Sequence, residues 1–288
     1  MEHKVYFDTV HIVESLRPRD LLTGRRLFED IRAVAASVSP PVTVQHSTVQ
    51  TAAELVGLLR RIVADCQGNA HSPVLHIEAH GSPEGIQVSS GEFLAWREFK
   101  VELSKINEIS NLNLIVVIAA CDGINLLQII EVTDRAPVRA IIGPNGEVGE
   151  DEIDRANLAF YGTLFKEGDA VAAWRAMNNA VAPQITFSVT TADYMLRYVF
   201  HHYLKVMCSE EALAKREDAP AERMLRERLP LDKVEHFKER FRVYAHDHPG
   251  HLDRIKKHFF LCDLYPENVA RFDVTFEDCL DIGVPGAV

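Results

Sequence analysis

The sequence predicts an α/β fold, a three-layer sandwich with a mainly parallel central sheet, followed by a mostly helical C-terminal extension. Strand and helix patterns alternate along the first part of the chain, which is typical of a parallel sheet with helices on both faces. The segment LNLIVVIAA (112–120) is almost continuously apolar, as expected of a strand buried on both faces. Because the alternation stops near Pro183, we place a soft domain boundary between residues 1–182 and residues 183–288.

Each element of the first part has its own sequence signal. The predicted strands are short runs of β-branched, aromatic and other apolar residues, and the predicted helices carry apolar residues three and four positions apart. Thr51, with Glu54 three residues later, predicts a capping box at the start of one helix. Strands are expected at 4–13, 42–49, 73–79, 112–120 and 138–143, a hairpin at 82–88, and helices at 23–38, 51–66, 93–109, 123–131, 150–168 and 169–181.

The C-terminal extension is predicted to be mostly helical. One further strand is expected at 185–191, and amphipathic helices are expected at 192–207, 231–247 and 251–265. The charged segment 209–229 has two interpretations, a solvated helix or a linker. The helix at 231–247 carries an apolar stripe formed by Phe237, Phe241, Val243 and Tyr244. From this stripe we expect the extension to bind a regulatory protein.

Composition and charge exclude several classes of protein. The chain has 288 residues, of which 47% are hydrophobic and 25% charged, as in ordinary globular domains. A net charge of −11 with scattered basic residues argues against nucleic-acid binding, which needs clustered Lys and Arg. No apolar run reaches the ~18 residues that a membrane span needs, and the N-terminal MEHKVYFDTV lacks the features of a signal peptide. We therefore expect a cytoplasmic protein without a membrane partner.

Two residues with catalytic side chains follow predicted strands. His80 ends the strand PVLHIEA and is followed by Gly81, which would permit a sharp turn and the close approach of a substrate. Cys121 ends the strand LNLIVVIAA, with Gly123 shortly after it. Ligands of parallel α/β sheets bind outside the carboxyl ends of the strands, so the two side chains converge if their strands are neighbours. A thiol near a helix N-terminus, with a histidine to manage protons, is the arrangement that a nucleophilic cysteine needs.

The motifs HIEAHG and IAACDG resemble the histidine and cysteine motifs of the caspase-like cysteine peptidases of clan CD, and most of all those of the CHAT-domain peptidases. The histidine motif of that family reads His-apolar-x-x-His-Gly, which His76 through Gly81 match. Residues 138–181, downstream of the cysteine, also resemble the family in their strand-Gly, acidic loop and Phe-Tyr helix pattern. The likeness covers about residues 70–182, and the extension has no counterpart in it.

The resemblance implies a cysteine endopeptidase (a thiol protease) that acts on a protein or peptide substrate and needs no cofactor and no metal. Cys121 would attack the peptide carbonyl to form a thioester, and His80 would protonate the leaving amine. The backbone N–H groups of Gly81 and Cys121 would form the oxyanion hole. His76 would support the site as a structural neighbour. Bacterial members of this clan often serve in defence or death pathways, a role that the resemblance permits here.

Two residues depart from the patterns of better-known relatives. Ala119, two residues before the cysteine, stands where metacaspases have an acid and caspases a glutamine in the substrate pocket, so neither specificity carries over. Asp122 stands where many relatives have a small, polar or basic residue. A carboxylate beside a thiolate would raise the pKa of the thiol by like-charge repulsion.

Each motif also has a plainer interpretation. The other four cysteines, Cys66, Cys208, Cys262 and Cys279, lack partner motifs and are expected to be structural. His76, Glu78 and His80 share one face of a strand, which would suit a metal, but no further ligand pattern accompanies them. The histidines at 201–202 and 245–251 are explained by a solvated helix face and a turn. The loop GPNGEVGEDE (143–152) lacks the Lys-Ser/Thr ending of a phosphate loop, and its acids would favour a basic substrate residue if they face the cleft.

Two alternatives to an active peptidase stay open. The first is a catalytically inactive caspase-like scaffold that acts as a protein-binding module. The second is a small-molecule hydrolase on a flavodoxin-like sheet, against which the missing phosphate loop counts. The presence of both His80 and Cys121 favours the enzyme, because a scaffold has no physical need for the pair.

Overall fold

The computed structural model describes residues 5–69, 71–82, 84–119 and 129–282. These residues form two compact units. The first consists of the described residues up to 130 together with 135–192, and the second consists of 131–134 and 193–282. The predicted fold class is confirmed, because the first unit is built on a mostly parallel sheet with flanking helices and the second is helical.

Among the described residues, eight strands form one sheet. They are β1 (Thr9–Ser15), β2 (Thr43–Thr48), β3 (Pro73–Ser82), β4 (Gly85–Gln87), β5 (Phe93–Ala95), β6 (Ile115–Ile118), β7 (Ala140–Pro144) and β8 (Phe187–Thr191). The strand order is β2-β1-β3-β6-β7-β8, and β4 and β5 extend one end of β3 as an antiparallel hairpin. All pairs along the main path are parallel except β7 with β8. The carboxyl ends of β1, β3, β6 and β7 therefore lie along the same edge.

Five helices pack in two groups against the first unit's sheet. They are α1 (Thr23–Ser37), α2 (Ala52–Asn69), α3 (Trp96–Ile109), α4 (Glu150–Glu167) and α5 (Ala170–Asn179). Helix α4 contacts α1 and α5, whereas α2 contacts α3. The α1 and α4 group covers a core that includes Val10, Val74 and Val117 from the sheet and the fully buried Phe160 and Tyr161 from α4. Burying a large apolar side chain contributes roughly 1.5–3 kcal/mol, so this layer stabilises the sheet on the face that α1 and α4 cover.

The second unit contains α6 (Ala192–Met207), α7 (Glu210–Arg226), α8 (Leu231–His246), α9 (His248–Phe259) and the short α10 (Asn268–Arg271). Helices α7 and α8 are joined by Glu217, which accepts hydrogen bonds from both Nε and Nη2 of Arg242 at 2.8 and 2.7 Å. In the stripe predicted on α8, Phe237 and Phe241 are half-buried, while Val243 is 73% exposed. Over the residues that the structure describes, no helix is long and apolar enough to span a membrane.

The structure differs from the predicted elements at several points. The first strand begins at Thr9, and residues 93–95 form β5 instead of the first turn of a helix, because they pair with β4. Residues 210–226 form helix α7, so the solvated-helix interpretation of that segment is the correct one. The helix expected at 123–131 falls mostly on residues outside the described part. The strand β8 lies beyond the soft boundary near Pro183 and pairs with β7 in the first unit.

Candidate active site

The pairing of β3 with β6 fixes which residues share the carboxyl edge of the sheet. Ile77 on β3 is the register partner of Ile118 on β6, and the N–H of Ala119 donates to the carbonyl of Ile77 at 2.9 Å. The two strands are therefore neighbours, as the predicted convergence required. His80 lies three residues beyond Ile77, and Cys121 lies three residues beyond Ile118 in the sequence. Cys121 and its neighbour Asp122 themselves lie outside the described residues.

His80 lies within β3, not after its end. The parallel part of β3 stops near Ile77, and residues 80–82 continue the strand by pairing with β4, where His80 lies opposite Gln87. The sharp turn expected at Gly81 is therefore absent, since Gly81 is extended opposite Ile86. Residues 73–79 of the strand are buried, whereas the His80 side chain is 45% exposed. The hairpin thus carries the imidazole out of the core and into contact with solvent.

Asp20 holds the His80 imidazole from the loop that follows β1. His80 Nε2 lies 2.8 Å from Oδ2 of Asp20, whose side chain is 21% exposed. The same oxygen accepts the backbone N–H of Arg17 at 2.8 Å, and the N–H of Asp20 donates back to the carbonyl of Arg17 at 3.0 Å. Although partial burial opposes the charge, the hydrogen bonds from Arg17 and His80 lower the pKa of Asp20. Asp20 is therefore an ionised acceptor.

The β1–α1 loop is tied to its surroundings at two further points. The Arg17 guanidinium donates to Oε1 of Gln87 at 2.5 Å, which links the loop to the hairpin that carries His80. The N–H of Leu21 donates to Oε1 of Glu150 at 3.2 Å, at the start of α4. Glu150, one of the acids of segment 143–152, thus contacts the loop that carries Asp20.

Beneath His80 lies a polar network with almost no access to solvent. His76 is the centre of the network, with Nε2 at 2.8 Å from Oε1 of Glu78 and Nδ1 at 3.1 Å from the hydroxyl of Tyr161. Asn157 donates to the same Glu78 oxygen at 3.2 Å. All four residues are 0–1% exposed. Burial, followed by the charge of Glu78, raises the pKa of Tyr161 well above its ordinary value, so its hydroxyl keeps its proton and can donate to Nδ1 of His76.

The network continues to the first turn of α1. Thr23 donates its hydroxyl to Oε2 of Glu78 at 2.8 Å, and the buried Glu14 accepts the backbone N–H of Arg25 at 3.2 Å. His46 from β2 lies 3.1 Å from the other oxygen of Glu14. Glu14 thus satisfies one of the unpaired N–H groups at the N-terminus of α1, where the helix dipole also favours negative charge, and Glu78 binds a side chain of the same turn.

This network accounts for the His76–Glu78–His80 pattern without a metal. The nitrogens of His76 and both oxygens of Glu78 have protein partners, and His80 is directed at Asp20. Within the described part of the chain, no group of three or more His, Cys, Asp or Glu side chains is arranged to hold a metal ion. His76 is therefore held by Tyr161 of α4 and by Glu78 of its own strand.

The cysteines that the structure describes differ in burial. Cys66 and Cys279 are buried, and burial raises the pKa of each thiol to about 11. Partial burial also raises the pKa of Cys262. Thiols of this kind are weak nucleophiles near neutral pH. Cys208 is half-exposed.

Two histidines of the clusters in the second unit, His201 and His251, have backbone partners. His201 Nδ1 lies 2.8 Å from the carbonyl of Cys279, and His251 Nε2 lies 2.8 Å from the carbonyl of Tyr244. The ring of His251 also packs edge-on against that of Tyr244, with the centroids 4.4 Å apart. Packing within the helical unit thus accounts for His201 and His251, in place of the solvated helix face and the turn that were expected.

A groove of about 450 Å³ opens farther along the same edge, at β7 and β8. Its lining includes Asn145, which follows β7, with Trp174 and Asn178 from α5 and Phe187 from β8. Asn178 and Trp174 both donate to the carbonyl of Phe187, and Asn178 also accepts the N–H of Phe187. These bonds occupy backbone groups of the edge strand β8. The groove lies two strands away from β3 and does not include His80.

Sequence reasoning identified His76, Glu78 and His80 but missed Asp20, Asn157 and Tyr161, which contact them. Asp20 carried a weak signal, since it lies in the loop after a strand and just before a helix. Asn157 and Tyr161 carried another, because they are polar residues four apart on the core-facing side of α4. No protein-family model matches the chain, and none of the curated proteins matches it. The resemblance to caspase-like peptidases therefore stays a prediction.

Proposed function

We propose that the protein is a cysteine endopeptidase in which Cys121 and His80 form the catalytic pair. One observation carries the proposal: β3 and β6 are neighbours with Ile77 opposite Ile118, and in the sequence His80 and Cys121 each come three residues after one of this pair. A partly exposed histidine at the carboxyl edge, held by an ionised carboxylate, supports it further. The order and spacing of the two motifs resemble those of the CHAT-domain peptidases.

The proposed reaction is acyl transfer to the thiol. The Cys121 thiolate attacks the carbonyl carbon of a peptide, and the oxygen of the tetrahedral intermediate is held by the N–H groups of Gly81 and Cys121. The C–N bond breaks as the His80 imidazolium gives its proton to the leaving amine. Water then attacks the thioester with His80 as base, which releases the acid product and restores the thiol. The step requires neither a metal nor an organic cofactor.

The substrate is proposed to be a protein or peptide, cleaved in a defence or death pathway. Glu150, which binds the β1–α1 loop, brings an acid close to the edge and would favour a basic residue in the substrate. The exposed part of the α8 stripe, Val243 and Tyr244, is the surface through which the second unit would bind a regulatory protein.

Cleavage of a peptide library tests the proposal directly. Wild-type protein, Cys121→Ala and His80→Ala are incubated with the library, and new termini are identified by mass spectrometry. We expect one family of cleavage sites that is lost in Cys121→Ala and reduced about 10²–10⁴-fold in His80→Ala. Cleavage that persists in Cys121→Ala would contradict the proposal.

The second candidate is an inactive scaffold of the same fold that acts as a protein-binding module. The polar contacts around His76 favour it, since that network stabilises the edge independently of any chemistry. Wild-type protein that cleaves nothing but captures the same partner as Cys121→Ala would support this candidate.

A further inference from the structure

We infer that Asp20 is a positioning residue that fixes the proton of His80 on Nε2 and so leaves Nδ1 as the atom that exchanges protons at the site. The inference rests on the proposed function and deepens it by adding a third group to the catalytic pair. It also specifies which imidazole nitrogen faces the reaction.

The geometry of the contact determines the tautomer. Oδ2 of Asp20 lies 2.8 Å from Nε2 of His80. An ionised carboxylate can only accept, so Nε2 must carry a proton. In a neutral imidazole the lone pair then lies on Nδ1, which is the only ring nitrogen that can take a proton from a thiol. When Nδ1 is protonated, the same carboxylate stabilises the imidazolium.

Asp20 is itself held in place before any substrate binds. Its Oδ2 accepts the Arg17 N–H, and its own N–H returns a bond to the Arg17 carbonyl. The Arg17 side chain reaches Gln87, which lies opposite His80 in the hairpin. Asp20 and His80 are therefore connected in two ways, by their direct contact and through Arg17 and Gln87.

An ordinary surface ion pair is the competing explanation. The His80 side chain is 45% exposed, and pairs with this exposure contribute little to stability. The two explanations differ in what the loss of the carboxylate does to a nearby thiol. Removing a negative charge acts directly to favour a thiolate and would accelerate its alkylation. Removing the group that orients His80 and stabilises its cationic form would slow alkylation, so the two effects have opposite signs.

The test measures the alkylation rate of each cysteine in the full chain with limiting iodoacetamide, by peptide mass spectrometry, between pH 5 and 9. The variants are Asp20→Asn, Asp20→Glu, His80→Ala and the double variant Asp20→Asn/His80→Ala. Glu84→Gln is the matched control, because Glu84 is an exposed acid of the same hairpin that bonds to Ser82. Cys66 and Cys279, both buried, serve as slow internal references. Circular dichroism confirms that each variant is folded.

We expect Asp20→Asn to slow the alkylation of Cys121 at pH 7 by roughly 10- to 100-fold, the effect of losing one charge-assisted hydrogen bond. Asp20→Glu should restore part of the rate, Glu84→Gln should match wild type, and Asp20→Asn should have no further effect in His80→Ala. If His80→Ala slows Cys121 but Asp20→Asn leaves it unchanged or faster, the inference is overturned and the catalytic pair stands. If Cys121 reacts like Cys208 in wild type and in every variant, the catalytic pair fails and the inference fails with it.

The tautomer offers a readout that does not depend on the thiol. Imidazole nitrogen chemical shifts of ¹⁵N-histidine-labelled protein, measured at a pH where the ring is neutral, distinguish a protonated Nε2 from a protonated Nδ1. We expect His80 in wild type to be protonated on Nε2 alone and to become a mixture in Asp20→Ala. A wild-type ring protonated on Nδ1 would overturn the inference.

Discussion

The Thr23 hydroxyl donates to the carboxylate of Glu78 at 2.8 Å, and this contact fastens the first turn of α1 to the middle of the sheet. Glu78 also accepts hydrogen bonds from His76 and Asn157. A single buried carboxylate of β3 thus contacts both α1 and α4. The β1–α1 loop that carries Asp20 ends at this turn. The position of Asp20 against His80 therefore depends on the network around Glu78, which lies two residues before His80 on the same face of β3.

Replacing Glu78 with Gln is expected to destabilise the first unit by about 2–3 kcal/mol. Thr23, His76 and Asn157 all donate to this side chain, and an amide turns one of its two acceptors into a donor. Urea unfolding followed by tryptophan fluorescence measures the change, because Trp96 and Trp174 are the two tryptophans of the chain and both lie in the first unit. Glu84→Gln, at an exposed site, should change the free energy of unfolding by less than about 0.5 kcal/mol. Equal effects of the two variants would contradict the role given to Glu78.

Gly24 is required by the close approach of α1 to the same network. A Cβ at this position would lie 3.1 Å from Cγ of Glu78 and 3.2 Å from Oε1 of Glu14. We expect Gly24→Ala to destabilise the first unit by about 1–3 kcal/mol, even though Ala is the better helix former. Gly57→Ala is the control, since a Cβ in the middle of α2 would meet only the Arg61 side chain at 3.9 Å. That variant should stabilise by about 0.5–1 kcal/mol, and a loss of stability there would undermine the steric explanation.

His11 makes the stability of the first unit depend on pH. Burial lowers its pKa from 6.5 to about 4, with Asp65 and Asp8 opposing this effect and His71 adding to it. Below pH 6.5 the unfolded chain therefore binds a proton that the folded chain takes up only near pH 4. The free energy of unfolding should fall through this window by about 3 kcal/mol from His11 alone.

His11→Leu is expected to remove that part of the pH dependence. The measurement compares urea unfolding of wild type and variant at pH 7, 6, 5 and 4, and the free energy of unfolding of the variant should fall by about 3 kcal/mol less than that of wild type over this range. His202→Ala, at an exposed position of α6, is the control and should leave the wild-type slope unchanged. An identical slope in His11→Leu and wild type would show that the proton is taken up elsewhere.

The sheet could be predicted from the sequence because its strands are buried on both faces and read as apolar runs. The motif LNLIVVIAA predicted β6, and the motif HIEAHG predicted the inner part of β3, where the apolar pattern is continuous. The end of β3 was predicted too early, because residues 80–82 extend the strand through pairing with β4 and not through burial. The sequence predicts a helix for Phe93–Ala95 for the same reason, since the pairing of this strand depends on a hairpin partner.

The histidines of the site could be predicted, whereas the residues that hold them could not. His76 and His80 belong to one short motif, but Asp20 lies 60 positions from His80 and Tyr161 lies 85 positions from His76. A single sequence gives no information on such long-range contacts, because they are set by how α1 and α4 dock on the sheet. Asn157 and Tyr161 show only as polar residues on the core-facing side of a helix, and Asp20 shows only as an acid in the loop between a strand and a helix.

The most direct test of the catalytic pair is the pH profile of Cys121 alkylation in wild type and in His80→Ala. A coupled pair predicts that Cys121 reacts ahead of the half-exposed Cys208 and well ahead of the buried Cys66 and Cys279. It also predicts that His80→Ala shifts the profile of Cys121 to higher pH and leaves the other cysteines unchanged. A Cys121 that reacts only after denaturation, or whose profile is identical in the two proteins, would contradict the account and favour the scaffold.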